Sequence, residues 1–129
     1  MAKITCIFVP VHTSERPQVI EIESDYRALN DAIAAQWGDV ARSGRNAASL
    51  AAQTAGLQLD LWIDDEGLLV HKSANARASA LAGQLLMGDS LVVCFKGGEA
   101  VSMPKSVQDA VLAIIEPKTG HRLVIIDPR

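Results

Sequence analysis

Two short stretches hold the side chains best suited to chemistry. Arg42-Ser-Gly-Arg45-Asn46 sets two guanidinium groups around a Ser-Gly pair, just before a segment of high helix propensity. The start of a helix offers unpaired backbone N–H groups and the positive end of the helix dipole, and arginine can fork onto phosphate oxygens. The pattern therefore points to anion binding, although it lacks the Gly-Lys-Ser/Thr ending of a Walker loop. Its competing reading is an exposed basic loop. His71, Lys72, Ser73, Asn75 and Arg77 form a second polar, partly basic cluster. Arg42, Arg45, Lys72 and Arg77 are four of the twelve Lys and Arg residues in a chain of net charge −3.

Between the clusters lies the stretch that organises the rest, residues 57 to 70. Leu57, Leu59, Leu61 and Ile63 alternate with Gln58, Asp60 and Trp62, the pattern of a strand with one face in the core. Asp64-Asp65-Glu66-Gly67 supplies turn formers, and Leu68-Leu-Val70 would return as the second strand of a β-hairpin. Trp62 falls on the face opposite the leucines. It would stack a ligand, cover a second subunit, or lie beneath the alanine-rich helix that follows Asn46. If the fold gathers the two clusters beside Trp62, Arg42, Arg45, Lys72 and Arg77 would meet negative groups. Asn75 would orient the ligand and Trp62 would stack on it, a site suited to a small nucleotide-like anion.

Other candidates are weaker. The three consecutive carboxylates at 64 to 66 lack the spaced ligands of a calcium loop and read as a solvated turn. His12, His71 and His121 accompany no nucleophile elbow or paired metal motif, so no catalytic residue, metal or cofactor is expected. Cys6 and Cys94 each sit inside an apolar run without a CxxC pair, and are expected as reduced, buried thiols.

Composition bounds the rest. A 129-residue chain that is 49% apolar is expected to form one domain, residues 1 to 129, with a sizeable core. The mild acidity argues against extended nucleic-acid binding, which needs a basic face. The N-terminal apolar run is stopped by Pro10, far short of the roughly 20 residues of a membrane span, so a cytoplasmic protein is expected.

The elements that must position these residues follow from periodicity. Residues 3 to 9 carry Ile4, Cys6 and Phe8 on one face and Ile7 and Val9 on the other, a strand covered on both sides and central in its sheet. Val19 to Ile22 would be its antiparallel partner. Ser24 would cap a helix whose stripe is Tyr26, Leu29, Ile33 and Trp37, with Trp37 in the core and Gly38 as the stop. Residues 39 to 46 read as a loop, and Asn46 to about Ala55 as a short helix ended by Gly56. One or two helical turns are expected between 71 and 83. Leu91 to Phe95 is a buried strand, linked by Gly97-Gly98 to Ala100 to Met103 as a hairpin. A helix with apolar positions Val107, Val111, Ile114 and Ile115 follows, stopped by Pro117, and Leu123 to Ile126 would be a last strand. The sum is an α+β fold, a largely antiparallel sheet built from hairpins with helices packed mainly on one face.

From Leu59 through Ile115 the sequence resembles a phage- and plasmid-borne family known as domain of unknown function 3846. The resemblance is carried by Asp60-Leu-Trp62-Ile-Asp-Asp-Glu-Gly67, by Asn75-Ala-Arg77, and by Gly88-Asp-Ser-Leu-Val-Val93 with the hairpin and helix after it. The alanine-rich segment 39 to 56 and the strand after Gly120 depart from it. The resemblance implies a mobile-element accessory protein inside a host cell, and no reaction. The expectation is a non-catalytic, oligomeric binding protein that sequesters a small anionic ligand and so blunts a host defence signal. The alternative is an inhibitor or adaptor that grips a host protein through the Trp62 face; an enzyme acting on a nucleotide stands third.

Overall fold

The computed structural model describes residues 3 to 67 and 72 to 116. In chain order these form β1 (Lys3–Val9), β2 (Gln18–Glu23), α1 (Tyr26–Ala32), β3 (Gly38–Arg42), α2 (Ala47–Thr54), β4 (Gln58–Asp64), α3 (Ala76–Ala82), β5 (Ser90–Lys96), β6 (Glu99–Val101) and α4 (Lys105–Ile115). The six strands make one sheet in the order β2-β1-β5-β4-β3, with β6 also on β5, and every pairing is antiparallel. The fold is α+β, as the residue pattern predicts.

Alternation along the strands builds two cores. Ile7, Val9, Leu59, Leu61, Val92 and Cys94 point to one face, where α2, α3 and α4 contribute Ala48, Ala52, Ala78, Leu81, Val107, Val111 and Ile115. Ile4, Cys6, Trp62, Leu91 and Val93 point to the other, covered by Leu29 of α1 and by Ile33 just beyond it. Small alanines on α2 and α3 let these helices lie close over the leucine face. Three helices thus occupy one side and a single short helix the other.

Several boundaries differ from the sequence reading. Residues 38 to 42 form the edge strand β3, not a loop, paired from Gly38–Asp64 to Arg42–Asp60. With β3 on one edge of β4 and β5 on the other, no edge of Gln58 to Trp62 is free for a hairpin partner. The predicted return strand 68 to 70 lies outside the described residues, as do His71, Pro117 and the strand 123 to 126. Asp25, not Ser24, caps α1, its Oδ1 accepting from Ala28 N at 2.8 Å. The helix stops at Ala32, and Ala34 follows at φ 54°, which breaks the stripe before Trp37. Trp37 is accordingly 54% exposed rather than core.

The hairpins β1–β2 and β5–β6 and the helix α2 match expectation, and Asn46, expected as the first helical residue, is the cap of α2. Asn46 Oδ1 accepts from Ala48 N and Ser49 N, while Ser49 Oγ accepts from Asn46 N. Among the described residues, no helix is long and apolar enough to cross a membrane.

Candidate functional site

The six side chains expected to form an anion site are placed apart, and most are committed to the fold. Trp62 is buried, its indole Nε1 donating to Asn30 Oδ1 at 2.9 Å and its ring edge-on to Tyr26 at 5.4 Å. It is neither a stacking platform nor a cover for another subunit, and it does not lie under the alanine-rich helix. Strand alternation aims it away from the leucines, so α1 covers it while α2 packs on the opposite face. Trp62 itself is covered by α1, while Tyr26 and Val40 beside it stay exposed.

Asn75 is fully buried. Its Nδ2 donates to Val9 O at 3.0 Å and Gly88 O at 2.9 Å, and its Oδ1 accepts from Ala78 N as the cap of α3. Both amide hydrogens are used, so Asn75 does not orient a ligand. Arg77 donates through Nη2 to Pro10 O and His12 O, each at 2.9 Å, and straps the β1–β2 loop to α3. Lys72 Nζ lies 2.7 Å from Asp64 Oδ2 and donates to Ala34 O at 3.0 Å, closing the carbonyl end of α1. The carboxylate turn is equally structural, since Asp64 Oδ1 also accepts from Glu66 N.

The Arg42-to-Asn46 segment meets the far end of α3 and not the side chains of the second cluster. Leu81 O near the end of α3 accepts from Gly44 N at 2.9 Å and Asn46 Nδ2 at 3.1 Å. Because Asn46 itself binds the first N–H groups of α2, that helix start is closed to an anion. Arg42 and Arg45 remain exposed.

Of the six, Arg42 stands beside a different site. Arg42 pairs across β3 and β4 with Asp60, on the same face. There the sheet extends past the cover of α1 and an open groove of about 490 Å³ forms. Its lining comprises Val40, Leu57, Gln58, Asp60, Phe95 and Lys96, with the glycines at 56, 97 and 98. Asp60 is 3% exposed. Its Oδ2 accepts from Gln58 Nε2 at 2.8 Å, and its buried Oδ1 has no hydrogen-bond partner. Burial pushes the Asp60 carboxyl above the ordinary range, against the opposing pull of the Gln58 hydrogen bond and the Arg42 charge.

The groove is thus lined by a carboxylate with one buried, unpartnered oxygen, by the half-buried Phe95 and by Lys96, and Arg42 stands across the strand pair from Asp60. In sequence, Asp60 and Gln58 look like the wet face of a half-exposed strand. The available signal was a carboxylate in a strand otherwise rich in leucine, which becomes informative once β3 and β5 are known to flank it. Among the described residues, no group of three or more His, Cys, Asp or Glu is placed to hold a metal ion.

No family model and no curated protein matches the chain. Among solved structures it is similar to the crystal structure of the small RNA methyltransferase HEN1, with a TM-score of 0.62 and 16% identity. The match covers 87% of this chain and 16% of that one. At this identity the likeness is one of fold, shared with a small part of a much longer protein.

Proposed function

We propose that this is a non-catalytic binding protein that takes a small nucleotide-like anion in the groove over the start of β4. The observation that carries the reading is Asp60, buried with Oδ1 unpartnered, lining a groove together with Phe95 and Lys96. A nucleotide supplies each complement: ring N–H groups for the carboxylate, a π-face for Phe95, and phosphate for Arg42 and Lys96. The site differs from the one expected at Trp62, while the ligand class is the same. Its groups suit recognition more than turnover, because the one buried carboxylate is already held by Gln58. The role as a mobile-element protein that sequesters a host signal rests on the sequence resemblance alone.

Native mass spectrometry with a panel of mononucleotides tests this reading. The expected result is one ligand retained per chain and released with unchanged mass, with retention weakened by adding salt or by Arg42→Ala together with Lys96→Ala. Failure of every nucleotide to bind, or release of an altered mass, would overturn it.

A second reading is favoured by one patch. Tyr26, which opens α1 and donates to Gly38 O, is 50% exposed, and Trp37 and Val40 around the start of the edge strand β3 are 54% and 40% exposed. Aromatic residues are enriched at interface cores, so a second copy of the chain would seat here. Trp37→Ala would then reduce the subunit number in the same spectra; an unchanged mass would sink it.

A further inference from the structure

Resting on the groove as the ligand site, we propose that Asp60 and Gln58 select a base presenting two adjacent N–H donors, the imino and amino edge of guanine. Asp60 Oδ2 is taken by Gln58 Nε2 at 2.8 Å, which fixes the carboxamide with its nitrogen toward the carboxylate. Gln58 then presents Oε1 beside its second Nε2 hydrogen, and Asp60 keeps the buried, unpartnered Oδ1, so the pair has two acceptors left to one donor. Leaving such an acceptor unmade is costly, whereas a ligand N–H that reaches it gains a charge-assisted bond.

The bases differ on this point. Guanine carries N1–H beside its N2 amino group, two donors side by side. Adenine and cytosine each set one amino group beside a bare ring nitrogen, whose lone pair would face an acceptor. Uracil has one N–H between two carbonyls. Hypoxanthine keeps the N1–H and lacks the amino group, which makes it the natural control. Phe95 lies directly across from Gln58 in the β4–β5 register, so its ring is placed to flank a base held by that edge. Arg42, across from Asp60, and Lys96, next to Phe95, leave positive charge at the rim for a phosphate.

Titration calorimetry on the full chain with GMP, IMP, AMP, CMP, UMP, guanosine and adenosine tests the selection. GMP should bind tightest, IMP about tenfold weaker for one lost hydrogen bond, and AMP and CMP weaker by about a hundredfold, since each loses one bond and sets a lone pair against the other acceptor. Guanosine should bind less tightly than GMP yet still bind better than adenosine. Asp60→Asn should lose at least about tenfold for GMP and little for AMP, with a melting curve confirming that the variant is folded. The GMP to IMP ratio is read on the unaltered protein and stands even if the variant misfolds. Nucleotides bound without preference for GMP, or a preference that survives Asp60→Asn, would overturn the base selection and leave the groove as a nucleotide site. No binding by any of them would overturn both.

Discussion

Asn75 and Asp60 are both buried polar side chains in the same molecule, and their hydrogen bonds separate a structural role from a binding one. Asn75 spends two donors on Val9 and Gly88 and its oxygen on Ala78, tying β1, the turn before β5 and the start of α3 together. Asn75→Ala should therefore destabilise the fold by about 2–4 kcal/mol, read as a lower urea midpoint with an unchanged slope. Loss of ligand binding without loss of stability would contradict this assignment. Asp60 leaves one oxygen unspent, and burial raises its carboxyl above the ordinary range. A raised folded-state value means that the native chain holds this proton more tightly than the unfolded chain. Stability from the protonated form is then full below the ordinary Asp range and is lost as pH rises through the raised value. Asp60→Asn should consequently raise the melting temperature at neutral pH, and the gain should shrink as pH falls through the carboxylate range. A gain that grows toward acid would reverse the assignment. Residue type alone does not reveal this distinction, which is why Lys72, Asn75 and Arg77 read as ligand groups in sequence. Each is a strong donor, and only the fold shows that backbone carbonyls had already claimed it.

At the scale of elements, the helix on the sparsely covered face depends on specific contacts. α1 has seven residues, too few to persist on propensity, and is fastened by the Asn30–Trp62 hydrogen bond and by Lys72 at its carbonyl end. Gly38 completes the joint, since a Cβ there would overlap both Asn30 Oδ1 and the Trp62 indole nitrogen. Gly38→Ala should cost about 1–3 kcal/mol by overpacking, and the tryptophan fluorescence of Trp62 should shift toward a wetter environment. Unchanged emission and stability would show that the joint yields without cost. The strands bearing the alternating pattern were legible: β1 divides Ile4 and Cys6 from Ile7 and Val9 as its periodicity implies. β3 was not, because Gly38-Asp-Val-Ala-Arg42 has two apolar residues and opens with glycine. Its strand character comes from pairing with β4, and so does the meeting of Arg42 with Asp60 that marks the groove. The edge that β3 leaves open is partly blunted, as Val40 N–H donates to Asp39 Oδ1 at 2.7 Å.

Over the whole molecule, one sheet serves two cores, and each core holds one cysteine. Cys6 lies among Ile4, Leu91 and Trp62, while Cys94 lies among Leu59, Leu61 and Val107 on the other side. Burial pushes the Cys6 thiol up to about 12, and burial with the nearby Asp60 charge pushes Cys94 up to about 11. At pH 8 neither presents an appreciable thiolate, so both should resist an aromatic disulfide reagent in the native state. Because β1 and β5 each send neighbouring residues into both cores, neither layer can lose its packing without disturbing strands the other depends on. The two thiols should therefore become reactive together as urea is raised, at the midpoint seen by circular dichroism. Single Cys6→Ser and Cys94→Ser variants distinguish the signals. Should Cys6 label well before Cys94, the α1 layer opens on its own. The groove lies just past the cover of α1, so such opening would widen it; a ligand that grips Asp60 from the sheet side should then leave Cys6 labelling unchanged, whereas one that also leans on α1 should suppress it.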